Sequence, residues 1–200
     1  MAIVLKPLNQ QNVVFTITSM TPMVQHKWSE KAKKEMRDKK TGVSGKTKNR
    51  EKSVPEQEFQ DATYLTEDGE YGIPAMAFKK SLICSAHKDI GIEKTLVRKA
   101  IFIRCNDDGG VLPITCDAPI MREDYVRVGM GTDLRWRPEF KSWSCEINML
   151  VDVDSLPVEA LINLVNRAGF SVGIGEMRPE KDGDLGRFQV STEHDVRVGK

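Results

Sequence analysis

The chain has 200 residues, 40% of them hydrophobic and 30% charged, with a formal net charge of +1. That length buries one good core, so a single domain over residues 1–200 is expected, and near-neutrality excludes a molecule-wide field for polyanions. Any electrostatic case therefore rests on where the charges sit.

No apolar run reaches the roughly 20 residues of a membrane span, and Met1 to Gln11 lacks a secretory leader, which points to a cytoplasmic protein with no membrane partner. Cys84, Cys105, Cys116 and Cys145 are scattered, with neither a C-x-x-C pair nor histidine at metal-ligand spacing. They read as reduced core thiols, and neither a metal nor a cofactor is expected.

Residues 13–20 (VVFTITSM) are β-branched and aromatic and stop at Thr21-Pro22, a first strand. From Lys27 the composition changes. Residues 27–52 hold eleven Lys or Arg and four Asp or Glu, a local +7, which leaves +1 minus +7, or −6, for the rest. A helix over Ser29 to Lys40 is possible there, with Ser29 as cap, but it has almost nothing apolar to dock it, and Thr41 to Lys52 reads as flexible loop. The basic insertion is taken as residues 27–58.

Ala62–Leu65 and Glu67–Tyr71 suggest a short hairpin with Asp-Gly at its turn. Apolar spacing predicts a helix over Ala75 to Asp89 stopped by Gly91. Thr95 to Cys105 and Val111 to Thr115 read as strands around a glycine-rich turn, and Lys141 to Val153 as a strand with Trp143, Cys145, Ile147 and Met149 on one face. Between them, residues 120–140 are polar and arginine-rich and suit a functional excursion. Asp154-Ser155 would cap a helix over Leu156 to Ala168 that Gly169 ends. A glycine-rich stretch (Gly173, Gly175, Gly183, Gly186) then leads into a last strand. This order is that of a split βαβ, an α+β ferredoxin-like (RRM-type) antiparallel sheet with two main helices and a flexible basic insertion.

The glycine stretch follows a helix, so dinucleotide-loop and Walker readings fail on context. Its backbone could instead approach a ligand, with Arg178, Lys181 and Arg187 supplying cations, or it could simply be a hairpin tip. Three features resemble the RAMP superfamily, which contains Cas-seven-like backbone subunits and Cas-six-like nucleases. They are the first strand ending in Thr21-Pro22, the Ile73-Pro74 entry to a lysine-bearing helix (Ala75-Met76-Ala77-Phe78-Lys79), and the late G-x-G-x-x-R…G-R-F segment. Ala75, Met76 and Ala77 stand where the family has glycine and serines. The Tyr71-Gly72-Ile73-Pro74-Ala75 and Arg122 to Gly129 segments also resemble proteins of tailed phages, which implies no activity but places the chain in a bacterial host cell.

The RAMP resemblance implies a single strand of RNA or DNA lying between the insertion and the glycine loop. It also implies self-association into a helical or ring oligomer along that strand, with room for other protein subunits. Lysines that neutralise phosphates give sequence-independent, salt-sensitive affinity. The candidate contacts are Lys27, Trp28, Lys31, Lys34, Lys39, Lys40, Lys46, Lys48, Arg50, Lys79, Arg127, Arg135, Arg137, Arg178, Lys181 and Arg187. Trp28, Trp136 and Phe140 could stack bases or bury against their own strands. Arg122, Arg127, Arg135 and Arg137 alternate with Glu123, Asp124, Asp133 and Glu139, so an ion-pair network competes with a phosphate track.

Catalysis is not expected. A metal-independent endoribonuclease would have His26, His87 and His194 to draw on, at no spacing that suggests a dyad, and His26 is the least implausible. Asp38, the aspartate of the insertion, reads as a solvated helix charge. The competing class is a protein-interaction or assembly module, such as a subunit mimic or an inhibitor of a host complex.

Overall fold

In a computed structural model of the chain, residues 7–28, 30–42, 54–106 and 108–199 are described. Strand β1 (Gln10–Ser19) alternates as a half-buried strand must, with Val13, Phe15 and Ile17 at 0–1% exposure facing inward. After the Thr21-Pro22 corner come β2 (Met23–Val24), helix α1 (Glu30–Lys40) and helix α2 (Pro55–Asp61). Then follow β3 (Gly72–Pro74), α3 (Ala75–Asp89), α4 (Lys94–Ala100), β4 (Ile101–Ile103), β5 (Val111–Pro113) and β6 (Thr115–Cys116). The chain ends with β7 (Ile120–Val128), β8 (Gly131–Phe140), β9 (Trp143–Asp152), α5 (Val158–Ser171), β10 (Phe188–Val190) and β11 (Arg197–Gly199).

The main sheet runs β10-β1-β9-β4, every pairing antiparallel, with β11 continuing along β1 and β6 along β9. In chain order its framework is β1-α3-β4-β9-α5-β10, the split βαβ of a ferredoxin-like α+β fold. The β1–β9 register sets Val13 opposite Met149, Phe15 opposite Ile147 and Ile17 opposite Cys145. These six side chains form the sheet's inner face, onto which α3 and α5 lay Phe78, Leu82, Leu161, Leu164 and Val165. Phe188 closes the end of the core against Phe78 and Trp143, with ring centroids 5.8 and 6.3 Å apart. Burial pushes the Cys145 thiol up to about 12, so it behaves as a small hydrophobe, whereas the other three cysteines are half-buried. Among the described residues no helix is long and apolar enough to cross a membrane.

Several elements differ from their sequence reading. Of the strand read over Thr95 to Cys105, Ile101–Ile103 is strand β4, but residues 95–100 belong to helix α4, because packing against α3 takes Val97 and Ala100, three residues apart, into the core. The hairpin expected at 62–71 shrinks to one bridge, Leu65 to Tyr71, because β3 pairs with β5 instead. Gly72 permits that pairing, since a Cβ there would lie 2.4 Å from Val111 Cγ1. Helix α1 (Glu30–Lys40) realises the helix expected over Ser29 to Lys40, and α2 begins inside what was read as insertion, with Pro55 in its first turn. Helix α5 starts after Pro157 without a side-chain cap, because Ser155 Oγ donates to Asp152 Oδ2 at 2.6 Å. It also runs through Gly169, the expected stop, to Ser171.

Candidate nucleic-acid interface

Residues 120–140 form a β-ribbon whose strands are joined through Gly129 (φ 61°) and Met130. Period-two geometry gives it two unlike faces. The register pairs Met121 with Pro138, Glu123 with Trp136, Tyr125 with Leu134 and Arg127 with Thr132 on one face. Tyr125 is 78% exposed there, and the half-buried Trp136 donates Nε1–H to Glu123 at 3.1 Å.

The other face is ionic. Arg122 donates Nε–H to Asp124 (2.7 Å) and Nη1–H to Glu139 (2.9 Å), and Arg137 Nη1 lies 3.7 Å from Asp124. Asp124, Arg137 and Glu139 are all below 9% exposure. Lys141 and Arg122 hold the Glu139 carboxyl below its usual range, and Asp124 and Glu139 hold the Arg122 guanidinium above its own. The ion-pair network is thus what the alternating charges build at the ribbon's base, and Arg137 is a buried member of it. Arg135 pairs with Asp133 at 2.7 Å, while Arg127 near the tip is exposed.

The glycine loop is folded on itself. A Cβ on Gly186 would lie 1.7 Å from Ile174 O, on Gly183 2.0 Å from Met177 O, and on Gly175 2.5 Å from Val24 O. The backbone donors follow the same contacts. Ile174 N–H donates to Gly186 O, Glu176 N–H to Val24 O and Gly186 N–H to Pro22 O, at 2.7–2.9 Å. These glycines therefore let the chain approach itself, where the sequence suggested close approach of a ligand; Gly173 (φ 71°) likewise crowds Pro179 and Gly186 O.

Two loop cations are engaged in the same way. Arg178 clamps Glu180 and donates to Gly175 O (2.9 Å), while Arg187 pairs with Asp184 (2.7 Å), donates to Phe170 O and lies 4.7 Å from the Phe170 ring centroid. Lys181 is exposed. Lys79 donates Nζ–H to Ile101 O at 2.8 Å, on edge strand β4. Phe140 is 1% exposed and meets Tyr71 edge-on at 5.5 Å, so it is core and stacks no base.

Three sequence features converge on β2. Met23 and Val24 pair with Phe140 and Glu139 of the ribbon, Val24 bridges Glu176 of the glycine loop, and the chain leaves Gln25 for the basic segment. Gln25 is buried and ties this junction to its surroundings, donating to Gly72 O (2.8 Å) and accepting from Tyr64 N–H (3.0 Å). Lys27 lies 5.9 Å from the Tyr64 ring centroid, and Trp28 is 55% exposed. In α1, Lys34, Lys39 and Lys40 are exposed, and Lys33, Arg37 and Lys40 share one face at i, i+4, i+7. Lys33, Arg37 and the aromatic Tyr125 were missing from the sequence reading, although helical spacing and strand alternation mark them. Lys46, Lys48, Arg50 and the side chains of Lys31 and His87 lie outside the described residues.

His26 is half-buried at the same junction, its Nδ1 buried without a hydrogen-bond partner among the described residues. Burial, and then the Arg137 charge, hold its pKa below the ordinary value. Protonation is therefore harder in the folded chain than in the unfolded one. The stabilising contribution is complete above about pH 6.5 and declines as pH falls through that value. His26→Gln is expected to flatten the stability curve between about pH 7 and 5, read from urea midpoints, and an unchanged curve would remove His26 as its source. His194 Nδ1 lies 3.5 Å from Ser191 Oγ.

Fold and junction together define a ferredoxin-like α+β protein carrying a β-ribbon and a basic helix on one short strand. No family model and no curated protein matches the sequence. Among solved structures the chain is similar to Cmr6 from Pyrococcus furiosus, at 11% identity over 92% of this chain and 100% of that one, with a TM-score of 0.40.

Proposed function

We propose that the protein is a non-catalytic, Cas-seven-like binder of single-stranded RNA or DNA that self-associates along the strand in a phage or mobile-element setting. The convergence at β2 carries this reading. One short strand roots both a helix with exposed lysines and a ribbon with an exposed tyrosine, in a chain whose residues outside 27–52 total −6. Exposed lysines supply counterion release and exposed Trp28 and Tyr125 supply stacking platforms, the two components of sequence-tolerant single-strand binding.

The test is fluorescence anisotropy of labelled single-stranded RNA and DNA with nuclease-treated protein across salt concentrations. Binding is expected to weaken with a log–log slope of about −0.7 per phosphate contact, and the RNA is expected to stay intact. Absence of binding at low salt would overturn the reading, and cleavage that His26→Ala abolishes would replace it with the ribonuclease.

A further inference from the structure

Helices α3 and α4 enclose an open cleft of about 630 Å³ on the helical side of the molecule. Its apolar wall is Met76, Ile83 and Cys84, with Met76 72% exposed, and Lys80, Lys94 and Arg98 stand around it beside Lys79. Among the described residues, Lys80, Lys94 and Arg98 have no carboxylate within ion-pair distance. Glu180, hydrogen-bonded to Cys84, acts on Lys80 from a longer distance, which leaves Lys94 and Arg98 as the cleft's freer cations. An apolar wall flanked by these cations fits an acidic segment with an apolar residue, and methionine adapts its shape to what it covers.

The same chain carries such a segment. Residues 55–71 hold Glu56, Glu58, Asp61, Glu67, Asp68 and Glu70 and no Lys or Arg. Its end is a fixed turn, in which Thr66 N–H donates to Glu70 O (2.8 Å), Gly69 N–H donates to Thr66 O (3.0 Å) and Gly69 sits at φ 82°. The turn presents Leu65, 43% exposed, beside Glu67, Asp68 and Glu70, which are exposed and have no cation within ion-pair distance among the described residues. A rigid turn loses little entropy on docking.

We propose that the α3–α4 cleft docks a second copy of this chain through that copy's acidic turn, Leu65 entering against Met76 and Ile83 while Glu67, Asp68 and Glu70 meet Lys80, Lys94 and Arg98. This rests on the self-association in the reading above and gives it a surface. Turn and cleft are different patches, so the contact is heterologous and passes from copy to copy. One turn buries well under the roughly 1,000 Å² of a stable interface, so the contact is weak in free solution and gains from high effective concentration when copies share a strand.

Sedimentation velocity on nuclease-treated protein at low salt tests it. The wild type is expected to associate increasingly through the micromolar range. Lys94→Glu/Arg98→Glu and Glu67→Lys/Asp68→Lys should each associate about tenfold more weakly or less, because turn and cleft then repel. An equimolar mixture of the two should recover association, which a misfolded variant could not do. A wild type that stays monomeric, variants that associate as the wild type does, or a mixture that does not recover would each overturn the proposal. Strand affinity on oligonucleotides too short for two copies is read separately, so loss of strand binding alone defeats only the nucleic-acid reading.

Discussion

Gly169→Ala is expected to lower folding stability by roughly 2 to 4 kcal/mol, against helix propensity, which favours alanine over glycine by about 1 kcal/mol. The reason is contact across the core. A Cβ at this position would stand 1.8 Å from Phe188 O, 2.6 Å from Phe188 C and 2.8 Å from Phe188 Cδ2. Two of those atoms are backbone, so no rotamer change relieves the clash, and β10 must move off α5. Moving β10 disturbs the pairing of Ile17, Thr18 and Ser19 with Val190, Gln189 and Phe188, and draws the fully buried Phe188 ring away from Trp143 and Phe78. Urea unfolding reads the change as a lower midpoint at constant slope. Gly91→Ala serves as the comparison, since its φ of 73° is strained for alanine but its Cβ would meet nothing within 4 Å; about 1 to 2 kcal/mol is expected there. A Gly169→Ala loss no larger than that of Gly91→Ala would show that β10 yields at little cost.

Gly169 also shows where sequence reading stops. As a glycine after an amphipathic run it reads as a helix end, and only the approach of a strand nineteen residues later explains why the helix continues through it. The glycine loop repeats the lesson, because its spacing suggests a ligand cradle while Gly175 and Gly186 in fact admit Val24 O and Ile174 O. Elements whose pattern is local were legible: β1, α3 and β9 stand close to their expected bounds, because burial imposes a strict period on them. Residues 95–100 were not, because Thr95, Val97 and the following Ile101-Phe102-Ile103 favour a strand until α3 supplies a surface for a helix. At the candidate site, the basic composition of residues 27–52 was plain, but which arginines were already paired depended on the β7–β8 register. That register makes Arg122 and Arg137 members of one ion-pair network with Asp124 and Glu139.

Neutralising α1 with Lys34→Gln, Lys39→Gln and Lys40→Gln is expected to weaken single-strand binding about 100-fold near 0.1 M salt and to reduce the log–log salt slope by about 2. Each phosphate contact on a single strand contributes about 0.7 to the slope, hence about fivefold in affinity between 1 M and 0.1 M salt, and three contacts multiply to about 100-fold. These three lysines suit the test because they are exposed and, among the described residues, without an ion pair, so their removal leaves no carboxylate unmatched. Arg178→Gln and Arg187→Gln make the contrast. Both guanidiniums already bind carboxylates and backbone carbonyls in the glycine loop, so their loss should lower the unfolding midpoint and leave the slope nearly unchanged. Anisotropy titrations at four or five salt concentrations separate the two outcomes. A slope that falls with the loop arginines and holds with the α1 lysines would move the strand off the basic helix and onto the glycine loop, reversing the assignment that the internal pairing of Arg178 and Arg187 supports.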